Sequence, residues 1–171
     1  MKVLVATASR HGSTEQIGHA LAERLRAHGL EVEEVRPNGQ SLDGVDAVVV
    51  GSAVYAGRWL SPARSFVRSH LDELRRLPVW VFSSGPVGNP PKPAEEPPEG
   101  RELAALVHAR THRTFVGRID RSALGLGERA LVRVLGASTD DRRDWEEIAR
   151  FADEIADELT RPGAPAGTPS S

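Results

Sequence analysis

The chain has 171 residues, of which 39% are hydrophobic and 27% are charged, and this composition predicts one globular domain with a sizeable core. Its 22 basic and 24 acidic residues are interspersed and leave a formal net charge of −2, which argues against nucleic acid as the main partner. The sequence contains no cysteine, so disulfides, thiolate metal sites and cysteine nucleophiles are excluded, and any redox chemistry needs a bound cofactor.

The first half of the chain predicts three strands and one helix. Residues 3–6 form a short apolar run of the kind found in a buried parallel strand, and a helix is predicted to begin near Glu15. The helix carries apolar residues at four-residue spacing: Ile17, Leu21 and Leu25. Residues 30–35 mix apolar and acidic side chains, which predicts an edge strand, whereas residues 45–50 predict a central strand.

A second helix is predicted to begin with Ser61 as its cap and Pro62 as its first residue. Its apolar stripe consists of Ala63, Phe66, Val67, Leu71 and Leu74. Residues 79–82 supply a fourth buried strand. A short helix at residues 103–107 and a fifth strand at residues 114–116 follow.

The rest of the chain holds one further helix and three segments of unusual composition. The last helix is strongly amphipathic, and the following residues are predicted to be core: Trp145, Ile148, Ala149, Phe151, Ala152, Ile155, Ala156 and Leu159. The proline-rich residues 89–100 predict an extended surface loop, and residues 120–137 form an additional piece before the last helix. Residues 161–171 are expected to be disordered, which leaves residues 1–160 as the domain.

Five strands that alternate with helices predict an α/β three-layer sandwich, in which a five-stranded parallel sheet has helices on both faces. Right-handed crossovers allow few topologies, and among them we favour the strand order 2-1-3-4-5. Ligands of such sheets bind beyond the carboxyl ends of the strands, where the winding direction reverses, here between strands 1 and 3. The loops that follow the strands are therefore the candidate site. Because no eighteen apolar residues stand together, we expect a cytoplasmic protein.

The loop after the first strand, residues 9–14, has the composition of an anion site. It offers three hydroxyl donors: Ser9, Ser13 and Thr14. Gly12 allows the backbone to come close to a ligand, and the helix N-terminus presents N–H groups, so a phosphate group is the natural ligand. The alternative is that Ser13 merely caps the helix, with Gln16 completing a capping box and Gly29 ending the helix.

The loops after the third and fourth strands add an aromatic ring and a second wall. Residues 52–59 include Tyr55, the only tyrosine of the chain, and Trp59, while Gly57 allows a main-chain amide to reach the edge of a stacked planar ligand. For both rings the alternative is packing against the next helix. We favour stacking on a ligand over packing only for Tyr55. Residues 83–90 would close the other side of the pocket, although in isolation an ordinary turn explains them more simply.

Residues 9–14 resemble the phosphate-binding S/T-x-T-G-x-T pattern of the flavodoxin family, with His11 in place of the middle threonine. The resemblance implies a flavodoxin-like fold and bound FMN, with the phosphate in the first loop and the isoalloxazine ring between the second and third. It implies no catalytic side chain and no metal. The cofactor-binding residues that it implies are Ser9, Arg10, His11, Gly12, Ser13, Thr14, Ala53, Val54, Tyr55, Ala56, Gly57, Trp59, Ser84, Gly85, Pro86, Val87, Gly88 and Asn89.

Residues 51–57, 115–117 and 141–145 extend the resemblance to the quinone-linked protoporphyrinogen oxidases of flavodoxin type. It implies either a carrier that exchanges electrons with partner proteins or an enzyme that acts on a quinone or porphyrinogen-like small molecule. A ligand-free scaffold for protein binding is the remaining alternative. Arginines alternate with leucines around residues 118–135, for which we favour a surface helix packed on the core over a weak membrane-surface contact.

Other functions of related folds need residues that this sequence lacks. A phosphoacceptor receiver domain needs an aspartate at the end of strand 3, where this chain has Gly51 and Ser52. A low-molecular-weight tyrosine phosphatase needs a nucleophilic cysteine. The chain also lacks the P-loop lysine pattern, G-x-G-x-x-G and G-x-S-x-G, which disfavours nucleoside triphosphate, dinucleotide and α/β-hydrolase functions.

Overall fold

The computed structural model describes residues 1–85, 97–116 and 143–161. The strands in this part of the chain are β1 (Lys2–Ala8), β2 (Glu31–Val35), β3 (Ala47–Tyr55), β4 (Arg58–Trp59), β5 (Val79–Gly85) and β6 (Thr111–Val116). The helices are α1 (Ser13–Ala27), α2 (Ser61–Ser69), α3 (Leu71–Leu74), α4 (Pro98–Leu106) and α5 (Trp145–Thr160). None of these helices is long and apolar enough to cross a membrane.

The five long strands are parallel and lie in the order β2-β1-β3-β5-β6, which confirms the predicted order and fold class. The sheet has a sixth strand, β4, which pairs antiparallel with the end of β3 and corrects the prediction of five strands. Two residues are too few to produce a periodic pattern, so this strand has no signal in the sequence. The register places Thr7 beside Gly51 and Ala8 beside Ser52, so that β3 continues past the end of β1 as far as Tyr55.

Two hydrophobic cores lie on opposite faces of the sheet. Val5 and Val49 contribute to the core under α1 and α5, whereas Leu4 and Val48 contribute to the core under α2 and α4. Successive residues of a strand point to opposite faces, so an uninterrupted apolar run supplies both cores at once. By contrast, β2 has exposed glutamates and is the predicted edge strand.

The structure corrects several predicted element boundaries. The predicted second helix is divided at His70 into α2 and α3, and α2 begins at Ser61 with Leu60 as the preceding residue. The strand β6 starts at Thr111 rather than residue 114. Its first residues are polar and only partly buried at the sheet edge, so they produce no apolar pattern from which the strand could be predicted. The end of the predicted proline-rich loop is helical, since Pro98 occupies the first turn of α4, where no N–H donor is required.

Trp145 was predicted to be core, and the structure contradicts this prediction. It is the first residue of α5, 43% of it is exposed, and the guanidinium carbon of Arg143 lies 4.4 Å from the centre of its ring. The ring therefore projects beyond the end of the core. The remaining predictions for residues 86–96, 117–142 and 162–171, including the additional piece at 120–137, fall outside the described residues.

Asp153 joins α5 to α1 through a double hydrogen bond from Arg24, at 2.7 and 3.0 Å, and a contact of 2.7 Å with His28. The hydrogen bond from Arg24 and then that from His28 lower the pKa of Asp153 from 3.8 to about 2. A lowered pKa stabilises the folded state above the unfolded pKa, and this stabilisation is lost as the pH falls from about 4 toward 2.

We therefore expect Asp153→Asn to lower the free energy of unfolding at pH 7 by less than about 1 kcal/mol, because solvent screens the pair. The difference from wild type should shrink as the pH falls below about 4, as measured by urea unfolding at a series of pH values. Asp157→Asn, on the exposed side of the same helix, is the matched control. If both variants lost the same free energy of unfolding, or if the loss in Asp153→Asn did not depend on pH, the ion pairs of Asp153 would not be the cause.

Candidate functional site

A cleft of about 310 Å³ opens at the carboxyl ends of the strands, beside β1. Its walls come from the end of β1, the loop after it, the segment after β2 and the start of α2. The lining residues include Ser9, Arg10, Gly12, Glu15, Arg36, Pro37, Leu60 and Pro62. The cleft thus lies at the carboxyl end of β1, between the segment after β2 and the start of α2.

The first loop turns into α1 at Gly12. This residue has a φ of 82°, which a residue with a side chain rarely adopts, and it has no side chain with which to cap the helix. Ser13 is the first helical residue, and Gln16 accepts a hydrogen bond from Nη1 of Arg143 at 2.6 Å. The predicted capping box of Ser13 and Gln16 is therefore wrong. Gly29, with a φ of 82°, ends the helix as expected.

Gly18 allows α1 to pack directly against the end of β1. A Cβ atom at Gly18 would overlap the side chain of Thr7, which is itself buried. Thr14, in the first turn of α1, is only 1% exposed. Because both ends of the first loop are held in the core, the N–H groups at the start of α1 have a fixed direction relative to the cleft.

Charged side chains surround the cleft, and two of them were missed by the sequence analysis. Nε and Nη2 of Arg36 lie 2.8 and 3.1 Å from the two carboxylate oxygens of Glu15, which is a bidentate ion pair. Arg10 lines the same cleft. Arg36 directly follows β2. Because β2 was predicted to pair with β1, the sequence could have predicted that Arg36 lies near the loop after β1.

The second loop is a tight hairpin that joins β3 to β4. Its two central residues, Ala56 and Gly57, have φ values of 50° and 75°, as in the turns that match the twist of paired strands. Tyr55 is 36% exposed, and its ring centre lies 6.4 Å from that of His11 and 5.7 Å from the guanidinium carbon of Arg10. The fold therefore brings the predicted aromatic residue to the predicted anion loop.

Trp59 does not lie with Tyr55, which corrects its predicted role as a stacking residue. It is only 2% exposed, and its indole Nε1 donates a hydrogen bond of 2.9 Å to Oγ of Ser83. The hairpin register pairs Tyr55 with Arg58 and Val54 with Trp59, so the tryptophan side chain belongs to the core under α2 and α4. Packing against the neighbouring helices, the alternative to stacking, is what the structure contains.

The third loop begins later than predicted. Ser83 and Ser84 are buried residues of β5, and Ser84 pairs with Ala53 in the neighbouring strand. A Cβ atom at Gly85 would lie 3.4 Å from Cβ of Val54, so the ends of β3 and β5 are in contact there. The other four predicted residues lie outside the described residues: Pro86, Val87, Gly88 and Asn89.

Residues 4–146 match the flavodoxin domain family. The chain is also 27% identical to the protoporphyrinogen IX dehydrogenase (quinone) of Escherichia coli strain K12, over 95% of this chain and 98% of that protein. The similarity to this relative therefore extends over nearly the whole length of both proteins.

Solved flavodoxin structures have the same fold. A flavodoxin from the domain Archaea has a TM-score of 0.66 at 16% identity, over 94% of this chain and 100% of its own. The oxidised flavodoxin 1 of Bacillus cereus has a TM-score of 0.62 at 16% identity, with the same coverage. At such identities the likeness concerns the fold, whereas the family match covers most of the sequence. The chain therefore belongs to the flavodoxin family.

Proposed function

We propose that this protein binds FMN non-covalently at the carboxyl ends of the strands, with the phosphate in the cleft beside β1 and the ring at Tyr55, and that it transfers electrons through this cofactor. The observation that carries the proposal is the position of Tyr55, an exposed aromatic ring next to Arg10 and His11 of the first loop. A phosphate group and a planar ring that are joined by a short chain would match this pairing of an anion loop with an aromatic residue. Membership of the flavodoxin family supports the same cofactor.

The phosphate end of the cleft fits a dianion. The start of α1 lies at the cleft, the first loop supplies hydroxyl groups, and Arg10 supplies a positive charge. Glu15 would repel a phosphate, but Arg36 pairs with both of its oxygens. The residues proposed to hold the phosphate are Ser9, Arg10, His11, Gly12, Ser13 and Thr14.

The ring end is proposed to lie against Tyr55 and the main chain of the second and third loops. Here Ala53, Val54, Ala56, Gly57, Ser84 and Gly85 are the proposed neighbours, together with the four third-loop residues outside the described part. When bound, FMN supplies the redox chemistry, and the protein positions the ring and controls its surroundings. Gly57 has open space where a Cβ would lie, so its main chain can approach the edge of a ring.

A second candidate function is the dehydrogenation of a porphyrinogen with a quinone as electron acceptor. The similarity to the Escherichia coli protoporphyrinogen IX dehydrogenase, which covers 95% of this chain, favours it. Its test is turnover of protoporphyrinogen IX with a quinone by the FMN-loaded protein. A carrier would instead exchange electrons with a reductase and a partner protein and would leave the porphyrinogen unchanged. A cytoplasmic location and the domain limits of residues 1–160 stay predictions.

The proposed function is tested by the absorbance spectrum of the purified protein after FMN has been added and the excess removed. Flavin bands that stay with the protein would support the proposal, and we expect Tyr55→Ala to weaken them. Asp157→Asn, remote from the cleft on α5, is the control and should retain the bands. A colourless wild-type protein would overturn the proposal and leave the ligand-free scaffold as the alternative.

Arg36→Ala is expected to weaken FMN binding by roughly threefold to tenfold, because the carboxylate of Glu15 would then face the phosphate without its partner. The loss should be larger at low ionic strength, since salt screens exposed charges. Titration of the protein with FMN, followed by flavin fluorescence at two salt concentrations, measures both effects. The double variant with Glu15→Gln should recover most of the affinity, and a failure to recover would rule out this electrostatic explanation.

A further inference from the structure

Glu99 links three elements beside the second loop. Its Oε2 atom accepts a hydrogen bond of 2.5 Å from the main-chain N–H of Trp59 in β4. Its Oε1 atom lies 3.3 Å from Nη1 of Arg64 in α2 and 3.7 Å from Nε of Arg58 in β4. Only 13% of the Glu99 side chain is exposed, and the residue belongs to the first turn of α4. One carboxylate thus holds the hairpin strand against two helices.

A series of hydrogen bonds holds the indole ring of Trp59, whereas Glu99 holds its main chain. The indole of Trp59 donates to Ser83, whose Oγ atom lies 2.8 Å from Nε2 of His112. A Cβ atom at Gly100 would come within 2.7 Å of Oγ of Ser83 and 3.0 Å of Nε1 of Trp59. The absence of a side chain at Gly100 therefore lets α4 approach closely enough for the adjacent Glu99 to reach the main chain of β4.

The hairpin itself is short, and its residues 55–58 are exposed. The strand β4 has two residues, and their partners in β3 are Val54 and Tyr55. The turn between them has two residues with positive φ, Ala56 among them, which costs a residue with a side chain about 1 kcal/mol. Short hairpins are marginal without tertiary support. The hydrogen bond and ion pairs of Glu99 supply such support directly opposite the strand end that carries Tyr55.

From this arrangement we propose that Glu99 is a positioning residue, which sets the orientation of the hairpin and therefore of Tyr55 against the flavin ring. The proposal rests on the proposed FMN site and names a residue whose partners lie in β4 and α2. Without this carboxylate, Arg58 and Arg64 would repel one another, and the N–H group of Trp59 would lose its acceptor. The hairpin would then lose its defined orientation at the ring end of the site.

The test compares FMN with riboflavin, which contains the ring but no phosphate. Because Glu99 acts at the ring end, Glu99→Gln should raise the dissociation constants for both flavins by a similar factor, roughly threefold to tenfold. Glu99→Ala, which also removes the acceptor for the N–H of Trp59, should have the larger effect, and Glu99→Asp should recover part of the affinity. Glu102→Gln has the same charge change at an exposed position of the same helix and should match wild type.

The circular dichroism of the bound flavin in the visible region is the second measurement, made with each variant saturated with FMN. It depends on the asymmetric surroundings of the ring, so Glu99→Gln should change it and Glu102→Gln should not. Identical spectra and affinities in these two variants would overturn the positioning role while leaving the FMN site intact. An effect on FMN but not on riboflavin would also overturn it, whereas a wild-type protein that binds neither flavin would overturn the proposed function itself.

Discussion

Gly51→Ala is expected to lower the free energy of unfolding by about 3 kcal/mol, because the added methyl group has no room in the core. Gly51 lies in β3 directly opposite Phe82 in β5, and a Cβ atom there would overlap the ring. The ring cannot move aside easily, since it is fully buried and packs against Phe115 at a centre-to-centre distance of 5.7 Å. Urea unfolding at pH 7 measures the loss.

A double-mutant cycle with Phe82→Ala tests this explanation. Phe82→Ala alone should cost about 3 to 5 kcal/mol, because it leaves a cavity in the core. In the double variant the methyl group at position 51 no longer meets the ring, so the two losses should sum to more than the measured total. Additive losses would show that crowding by Phe82 is not the cause. Gly85→Ala is the matched control in β5, where the new Cβ would make an ordinary contact with Val54.

The second large effect concerns the ligand: FMN is expected to bind at least about 100-fold more tightly than riboflavin, because two or more charge-assisted hydrogen bonds depend on the phosphate. Arg10 and the N–H groups at the start of α1 are the donors that the structure places at the cleft. Isothermal titration of the flavin-free protein with each ligand gives the two dissociation constants. Equal constants would contradict a phosphate site in the first loop.

Two variants test separately the phosphate end and the ring end of the site. Thr14→Val keeps the shape of the side chain but removes its hydroxyl, so we expect it to weaken FMN binding by roughly tenfold and to leave riboflavin binding unchanged. Tyr55→Ala removes the ring contact, so it should weaken both ligands by roughly tenfold and keep their ratio. If Thr14→Val weakened riboflavin equally, its effect would be on the fold of α1 rather than on the phosphate.

Much of the fold and part of the candidate site were predictable from local patterns. The apolar runs in β1, β3 and β5 indicated strands buried on both faces, and this indicated a parallel sheet covered by helices. Parallel strands bring their carboxyl ends to one edge, so the loops after β1 and β3 were expected to meet. The proximity of Tyr55 to Arg10 agrees with this expectation.

Side-chain partners that are far apart in the sequence could not be predicted. Arg36 and Glu15 are 21 positions apart, and Trp59 and Glu99 are 40 apart, so no periodic pattern connects them. The role of Trp59 depended on a two-residue strand whose pairing sends its ring into the core. These contacts depend on how separate elements approach one another, which local spacing does not encode.

The amino-acid sequence by itself determined the strand order, the flavodoxin-like architecture and the edge of the sheet where we propose that FMN binds, because alternating apolar segments and right-handed crossovers leave few other folds. Only the tertiary structure decided which polar and aromatic side chains meet at that edge. It paired Arg36 with Glu15 and placed Trp59 in the core and Glu99 behind the hairpin. Such choices follow from close packing in three dimensions, where a missing Cβ at Gly100 or Gly18 decides how near a helix can come.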